Sequence, residues 1–356
     1  MENYLQRWEM QGACLAIVKN DSLVYAKGYG QADDTIGMEP HMLMRVASVS
    51  KLITATGIMR LVDAGQLKLS DKVFGPNGIL QDSVYAASQR DKAHNLITVE
   101  HLLRHQAGFA TDLMFSQETV RLGLGLERKP EADDYIRYSL NRKLRYAPGT
   151  TNSYSNFGYL LLSRIIETKS GLPYATYITD SILAPIGIYD MHIAGNELES
   201  SLPEEVHYYS HSEELDPYSS NDVTVLSGAG AWCTSVVELA KLMAAIDGRP
   251  EQPDILSQEA IEAMTAYSDP ELYSLGWNDT NPENGWTRTG SFAGTSALIH
   301  YFPDGECWIM VTNSSTWHGF RQTKYTDELL HELRTGYSDK LPHRDLFNGG
   351  TNKEKD

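Results

Sequence analysis

The sequence predicts an α+β fold: an antiparallel sheet built from both chain ends and flanked by helices, with a mostly helical domain inserted between them. Three observations carry this. A hairpin pattern opens the chain, a second lies near the C-terminus, and the long stretch between them reads as helices and loops rather than alternating βαβ units. On this reading residues 1–70 and 270–340 form one discontinuous sheet domain, 71–269 an insertion and 341–356 a polar tail.

The elements follow in order. Ala13–Val18 and Ser22–Tyr29 are apolar runs joined by Lys19-Asn20-Asp21, a turn signal. From Ser48 the spacing changes, with Leu52, Ile53, Ile58, Met59, Leu61 and Val62 at helical intervals until Gly65 stops the pattern. Further helices are predicted over 99–105, 132–139, 157–169, 174–182 and 236–247. Strand character returns in Trp286–Phe292, read as an edge strand. The pair Thr295–Phe302 and Glu306–Asn313 follows, joined by a Pro-Asp-Gly turn. A last helix is predicted over 322–334, and the tail from Asn348 is polar and expected to fray.

At roughly 150 residues per domain, 356 residues suffice for two domains or one large domain with an insertion. With 30 Lys+Arg against 47 Asp+Glu the net charge is −17, which repels polyanions and argues against nucleic acid as a partner. Cys14, Cys233 and Cys307 make no Cys-x-x-Cys pair and read as three buried thiols. No apolar run approaches the roughly 20 residues of a membrane span. The opening MENYLQRWEMQGACLAIV lacks a secretory pattern. A periplasmic or secreted location needs a leader removed before Met1; otherwise the protein is cytoplasmic, and the sequence leaves this open, as it does the oligomeric state.

Three short motifs carry chemistry. In Ser48-Val49-Ser50-Lys51 the first and last side chains share a helical face at the start of the amphipathic helix, so an amine can reach a hydroxyl beside unpaired backbone N–H groups. A serine becomes nucleophilic only when a base takes its proton, and a lysine serves if its pKa is lowered. Ser50, the rival nucleophile, has Ile53 where a base would stand. Tyr154-Ser155-Asn156 offers a phenol suited to acid–base work and an amide suited to a substrate amide. Arg288-Thr289-Gly290-Ser291 offers a cation and hydroxyl for a carboxylate, a glycine permitting close approach, and a Ser291 N–H that pairs with that of Ser48 as an oxyanion hole.

Taken together these resemble the penicillin-recognising serine hydrolases, within them the group of class C β-lactamases, D-alanyl-D-alanine carboxypeptidases and family VIII esterases. The segments ITVEHLLRHQAGF, YAPGTTNSYSNFGYLLLSRIIE, LAPIGI, GAGAWCTSVVELAKLM and TRTGSFAGTSALIHYFPDG extend the likeness from Ala13 to Asn313. The resemblance implies a β-lactamase/transpeptidase-like fold, metal-free chemistry with no cofactor, and a small-molecule or peptide substrate. It implies Ser48 as the acylated nucleophile, Lys51 as its partner in proton removal and Tyr154 as proton shuttle. It further implies that Asn156, Arg288, Thr289 and Gly290 bind substrate, and Asn313 a substrate carboxylate. Arg288 departs from the family's Lys or His; it stays cationic and cannot shuttle a proton.

The expected function is therefore a serine hydrolase that forms a covalent acyl-enzyme on a small ester, amide or β-lactam. A catalytically silent protein on this scaffold, binding cell-wall peptides or a protein partner, is the alternative. A Ser/His/Asp hydrolase is a third reading, disfavoured because Gly-x-Ser-x-Gly is absent.

Overall fold

Asn20 and Asp21 both adopt left-handed backbone (φ 49° and 54°), the conformation a two-residue hairpin turn demands of both central positions. The turn joins β1 (Gly12–Lys19) to β2 (Ser22–Gly30), preceded by a short helix α1 (Glu2–Arg7). Lys19, expected in the turn, instead pairs with Ser22 as the last strand residue. The structure, a computed structural model, describes residues 1–109, 112–220, 222–267 and 273–347. The predicted tail from Asn348 and the boundary placed at 269/270 lie outside the described residues.

The middle of the chain holds β3 (Met44–Arg45), β4 (Met191–Ile193) and β5 (Trp232–Thr234), a small three-stranded sheet in the order β3-β5-β4. The C-terminal strands are β6 (Asp279–Asn281), β7 (Gly285–Phe292), β8 (Thr295–Tyr301) and β9 (Glu306–Thr312). They join the first hairpin in a six-stranded antiparallel sheet of order β2-β1-β9-β8-β7-β6, so both chain ends do build one sheet. β7 is not wholly an edge: β6 covers residues 285–287 and, among the described residues, leaves 288–292 without a strand partner on that side.

The helices that frame the core and the site include α2 (Ser50–Asp63), α3 (Ala132–Leu140), α4 (Asn156–Ser170), α5 (Val236–Met243) and α6 (Gln322–Tyr337). α4 starts where Ser155 caps the Gly158 N–H and stops at Gly171, which takes up φ 73°. The helix predicted over 174–182 breaks into Tyr174–Ile178 and a wider turn over Thr179–Leu183.

Alternation along the strands explains their continuous apolar character. Cys14, Ala16 and Val18 of β1, Ile299 of β8 and Ile309 of β9 face a large core shared with α2, α4 and α5. Their neighbours Leu15, Ile17, Leu298, Trp308 and Met310 face Tyr4 and Leu5 of α1, Trp8 just after it, and Leu330 of α6. Buried on both faces, these strands have no polar side to show. The stretch 71–269, read as a mostly helical insertion, also holds elements that join the sheet core. α5 packs directly on β1, β2 and β9 because its buried face of Val236, Leu239, Ala240 and Met243 belongs to the sheet core, and β3–β5 add sheet of their own. Among the described residues no helix is long and apolar enough to cross a membrane. Cys14, Cys233 and Cys307 are free and buried.

Candidate active site

Ser48 lies in a single 3₁₀ turn, Ala47–Val49, that runs straight into α2. Ala47 before it is held at φ 46°, an unfavourable conformation for a residue with a Cβ. The small sheet holds it there: β3 pairs with β5, and the Val46 N–H donates to the Trp232 carbonyl. Ser50 is removed from consideration as a nucleophile, since it is buried with its hydroxyl accepting from the Trp232 N–H at 3.1 Å.

One turn along, Lys51 is completely buried. Its Nζ meets Ser48 Oγ at 3.0 Å, Asn156 Oδ1 at 2.6 Å and the Ala229 carbonyl at 2.6 Å. As an ammonium it donates to all three; as a free amine it donates to the two carbonyl oxygens and turns its lone pair to Ser48. Burial, reinforced by the Arg288 charge and partly opposed by Tyr154, lowers its pKa to about 8.

Tyr154 approaches from the loop before α4 and donates from Oη to Ser48 Oγ at 2.8 Å. Burial alone would raise its pKa, but the charges of Lys51 and Arg288 outweigh that and leave it below the ordinary phenol value. His105 positions it. Its ring stacks on Tyr154 at 4.4 Å, its carbonyl accepts from the Ser153 N–H, and its Nδ1 accepts from the Ser155 N–H at 3.1 Å. That last bond fixes the neutral tautomer with hydrogen on Nε2, and burial together with the Lys51 and Arg288 charges pushes the imidazole pKa far down. Among the described residues no histidine bonds to Ser48, so the Ser/His/Asp arrangement is not formed.

β7 closes the site. A Cβ on Gly290 would lie 2.3 Å from the Val46 carbonyl oxygen and 2.9 Å from the Ser48 nitrogen, so only glycine lets this strand come so near Ser48. Thr289 and Ser291 line a cleft of about 570 Å³ together with Ser48, Tyr154 and Asn156. Asn156 gives its Oδ1 to Lys51, and among the described residues its Nδ2 makes no hydrogen bond.

Two residues expected to contact substrate, Arg288 and Asn313, are buried and do not line the cleft. Arg288 is wholly buried, its Nε donating to the Ser48 carbonyl at 2.8 Å, so its guanidinium lies beneath the cleft and not in it. It shares the inward face of β7 with Gly290 and Phe292, whereas Thr289 and Ser291 alternate outward. Asn313 is also fully buried, its Nδ2 donating to the carbonyls of Gln31, Ala32 and His207. It ties β9 to two loops and does not line the cleft.

Other wall residues had no local signal in the sequence. Asp112 lines the cleft, one carboxylate oxygen accepting from the Asn156 N–H at 2.5 Å and the other from the Met114 N–H. Asn278 Oδ1 receives both the N–H and the hydroxyl of Thr289. Phe115, Tyr273, Phe292 and Phe320 make much of the remaining wall aromatic.

The family profile described as Beta-lactamase matches residues 1–332. The chain belongs to the beta-lactamase family. Its curated relatives include Protein flp of Staphylococcus aureus (strain N315), 23% identical over 341 residues, which cover 94% of this chain and 64% of the relative. Another is the Unguisins hydrolase ungD' of Aspergillus campestris (strain IBT 28561), 26% identical over 293 residues, covering 77% of this chain and 52% of the relative. The chain thus spans less than two thirds of the length of these relatives. Among solved structures, the octameric penicillin-binding protein homologue from Pyrococcus abyssi superposes with a TM-score of 0.72 at 24% identity, covering 93% of this chain and 75% of that one. The D-amino acid amidase from Ochrobactrum anthropi SV3 complexed with D-phenylalanine gives 0.75 at 19% identity, covering 94% and 97%. These likenesses establish the β-lactamase/transpeptidase-like fold, and the beta-lactamase-family chain has hydrolases among its homologues.

Proposed function

We propose that this chain is a serine acyl hydrolase that works through a covalent acyl-enzyme on Ser48. One observation carries the reading: Ser48 Oγ, at the cleft, lies within hydrogen-bond reach of both Lys51 and Tyr154, and each of these groups has a lowered pKa. Once the pair has lost one proton, the Ser48 proton has an acceptor in either arrangement of the proton that remains. If Lys51 is neutral its lone pair takes the proton; if Lys51 is an ammonium, a Tyr154 phenolate takes it.

Oγ then bonds to the substrate carbonyl carbon, and the carbonyl oxygen becomes an oxyanion between the N–H groups of Ser48 and Ser291. Losing one such donor typically costs about 3 kcal/mol. Collapse breaks the bond to the leaving amine or alcohol, which departs with the proton held by Tyr154 or Lys51. Water deprotonated by the same pair releases the acyl group and returns the proton to Ser48.

The substrate class we propose is a small amide or ester of an amino acid with an apolar or aromatic side chain, those of D configuration included. The aromatic wall suits such a side chain, and the Asp112 carboxylate suits an ammonium group. The amidase neighbour complexed with D-phenylalanine agrees with this class.

The test is labelling with a fluorophosphonate, expected to add mass at Ser48 and nowhere in Ser48→Ala. Turnover is then measured on D- and L-phenylalanine amides, p-nitrophenyl esters and nitrocefin. A folded chain that takes no label and turns over none of these overturns the proposal in favour of a silent binding protein.

A further inference from the structure

A second cluster lies on the opposite face of the sheet from the main core, where α6 packs on β8. We propose that His300, Asp327 and His331 form a binding site for one divalent transition-metal ion of the zinc class, clamping α6 to the sheet. Asp327 and His331 stand one turn apart on the same face of α6, and His300 meets them from β8. One ligand atom from each lies within 4.8 Å of the other two.

The tautomer of His300 is the deciding feature. Its Nε2 is 2.8 Å from the carbonyl oxygen of Asn284, which can only accept, so Nε2 carries a hydrogen. On a neutral ring Nδ1 is then a bare lone pair, and it faces Asp327 Oδ1 at 2.6 Å with the ring itself buried. Two acceptors held that close need a cation between or beside them, either a proton or a metal ion.

His331 favours the metal. A bridging proton uses nothing beyond its two atoms, yet the ring of His331 stands edge-on to that of His300 at 5.0 Å, its Nε2 3.9 Å from Asp327 Oδ2. Zinc bonds of about 2.0–2.1 Å place tetrahedral ligand atoms roughly 3.3 Å apart. His300 Nδ1 lies 2.6 Å from Asp327 Oδ1 and His331 Nε2 3.9 Å from Asp327 Oδ2, on either side of that value but at the two different oxygens of the carboxylate. Small rotations of the half-exposed Asp327 and His331 close the difference. Two imidazoles with one carboxylate select zinc, cobalt or nickel over calcium or magnesium, and the Asn284 carbonyl orients the buried imidazole as an outer-sphere partner. The role is structural and separate from acyl transfer. Thr323, one turn before Asp327, lines the cleft, so the clamp steadies that wall.

The test uses the full chain stripped with a chelator. One equivalent of Co²⁺ is expected to give visible d–d absorption that Zn²⁺ abolishes, and free Zn²⁺ at one hundred times Kd raises Tm by about 4 °C. His331→Ala and Asp327→Asn are expected to lose both signals while keeping the wild-type circular dichroism. Absence of both signals in the wild type, or their persistence in the two variants, overturns the site and leaves His300 and Asp327 bridged by a proton.

Discussion

The Arg288 Nε donates to the Ser48 carbonyl oxygen at 2.8 Å, so the cation on β7 holds the backbone of Ser48 itself. Its two terminal nitrogens are buried with no hydrogen-bond partner among the described residues. An unneutralised guanidinium there acts through its field, lowering the pKa of both Lys51 and Tyr154.

Replacing Arg288 therefore shifts the pH dependence before it touches substrate affinity. In Arg288→Met both groups titrate higher, so the rising limb of kcat/KM moves to higher pH. Activity at pH 7 falls by roughly tenfold or more and recovers in alkali. Arg288→Lys, which keeps the charge, restores most of the limb. A pH-independent rise in KM confined to substrates bearing a carboxylate would instead put the guanidinium in the substrate site.

The wild-type profile follows from the same groups. The lowered pKa of Lys51, about 8, means most chains carry an ammonium at pH 7, and acylation needs a proton acceptor. The log of kcat/KM is expected to rise with pH and bend near 8, an apparent value belonging to the coupled Lys51–Tyr154 pair. Profiles measured with an ester and an amide should share that bend, and a flat profile between pH 6 and 9 contradicts the assignment.

The buried amine costs stability. Its folded-state pKa lies below the unfolded value of 10.5. Unfolding therefore takes up protons between about pH 8 and 10.5, and stability rises across that window. Below it the penalty is complete, of order 3 kcal/mol, offset in part by the bonds to Asn156 and Ala229. Lys51→Met, inactive by the mechanism above, is expected to be more stable than wild type at pH 7 by about 1 kcal/mol. Urea unfolding at pH 7 and pH 10 should show that advantage shrinking in alkali.

Much of this was legible in the sequence where local rules coincide with the fold. Asn20-Asp21 can form the turn it forms, and the Ser48–Lys51 spacing brings hydroxyl and amine together on one helical turn. Gly290 reads as close backbone approach, and the structure supplies the backbone it approaches. What failed depends on which way a strand residue faces. Arg288 and Thr289 are neighbours in sequence, but alternation buries one and opens the other to the cleft. Asn313 looks like any strand-end amide until the carbonyls of residues 31, 32 and 207 surround it. Asp112, Asn278 and His105 enter the site from loops distant in sequence, where no periodicity marks them.

Gly290 gives the sharpest steric prediction. The atoms a Cβ would strike are all backbone: the Val46 oxygen at 2.3 Å, the Ser48 nitrogen at 2.9 Å and the Val49 nitrogen at 3.1 Å. No side chain can swing aside, so β7 must retreat from the 3₁₀ turn that carries the nucleophile. Overpacking of this kind costs about 1–3 kcal/mol. The retreat also spoils the spacing of the Ser48 and Ser291 N–H groups, for which a fall of roughly 10²–10³ in kcat is expected. Gly290→Ala should therefore lose rate far beyond its loss of Tm. Gly336→Ala, on the exposed face of α6 with nothing within 4 Å of the added carbon, is the control. It should gain about 0.5–1 kcal/mol and keep its rate. Equal activity in the two variants would show that β7 need not approach Ser48 for catalysis.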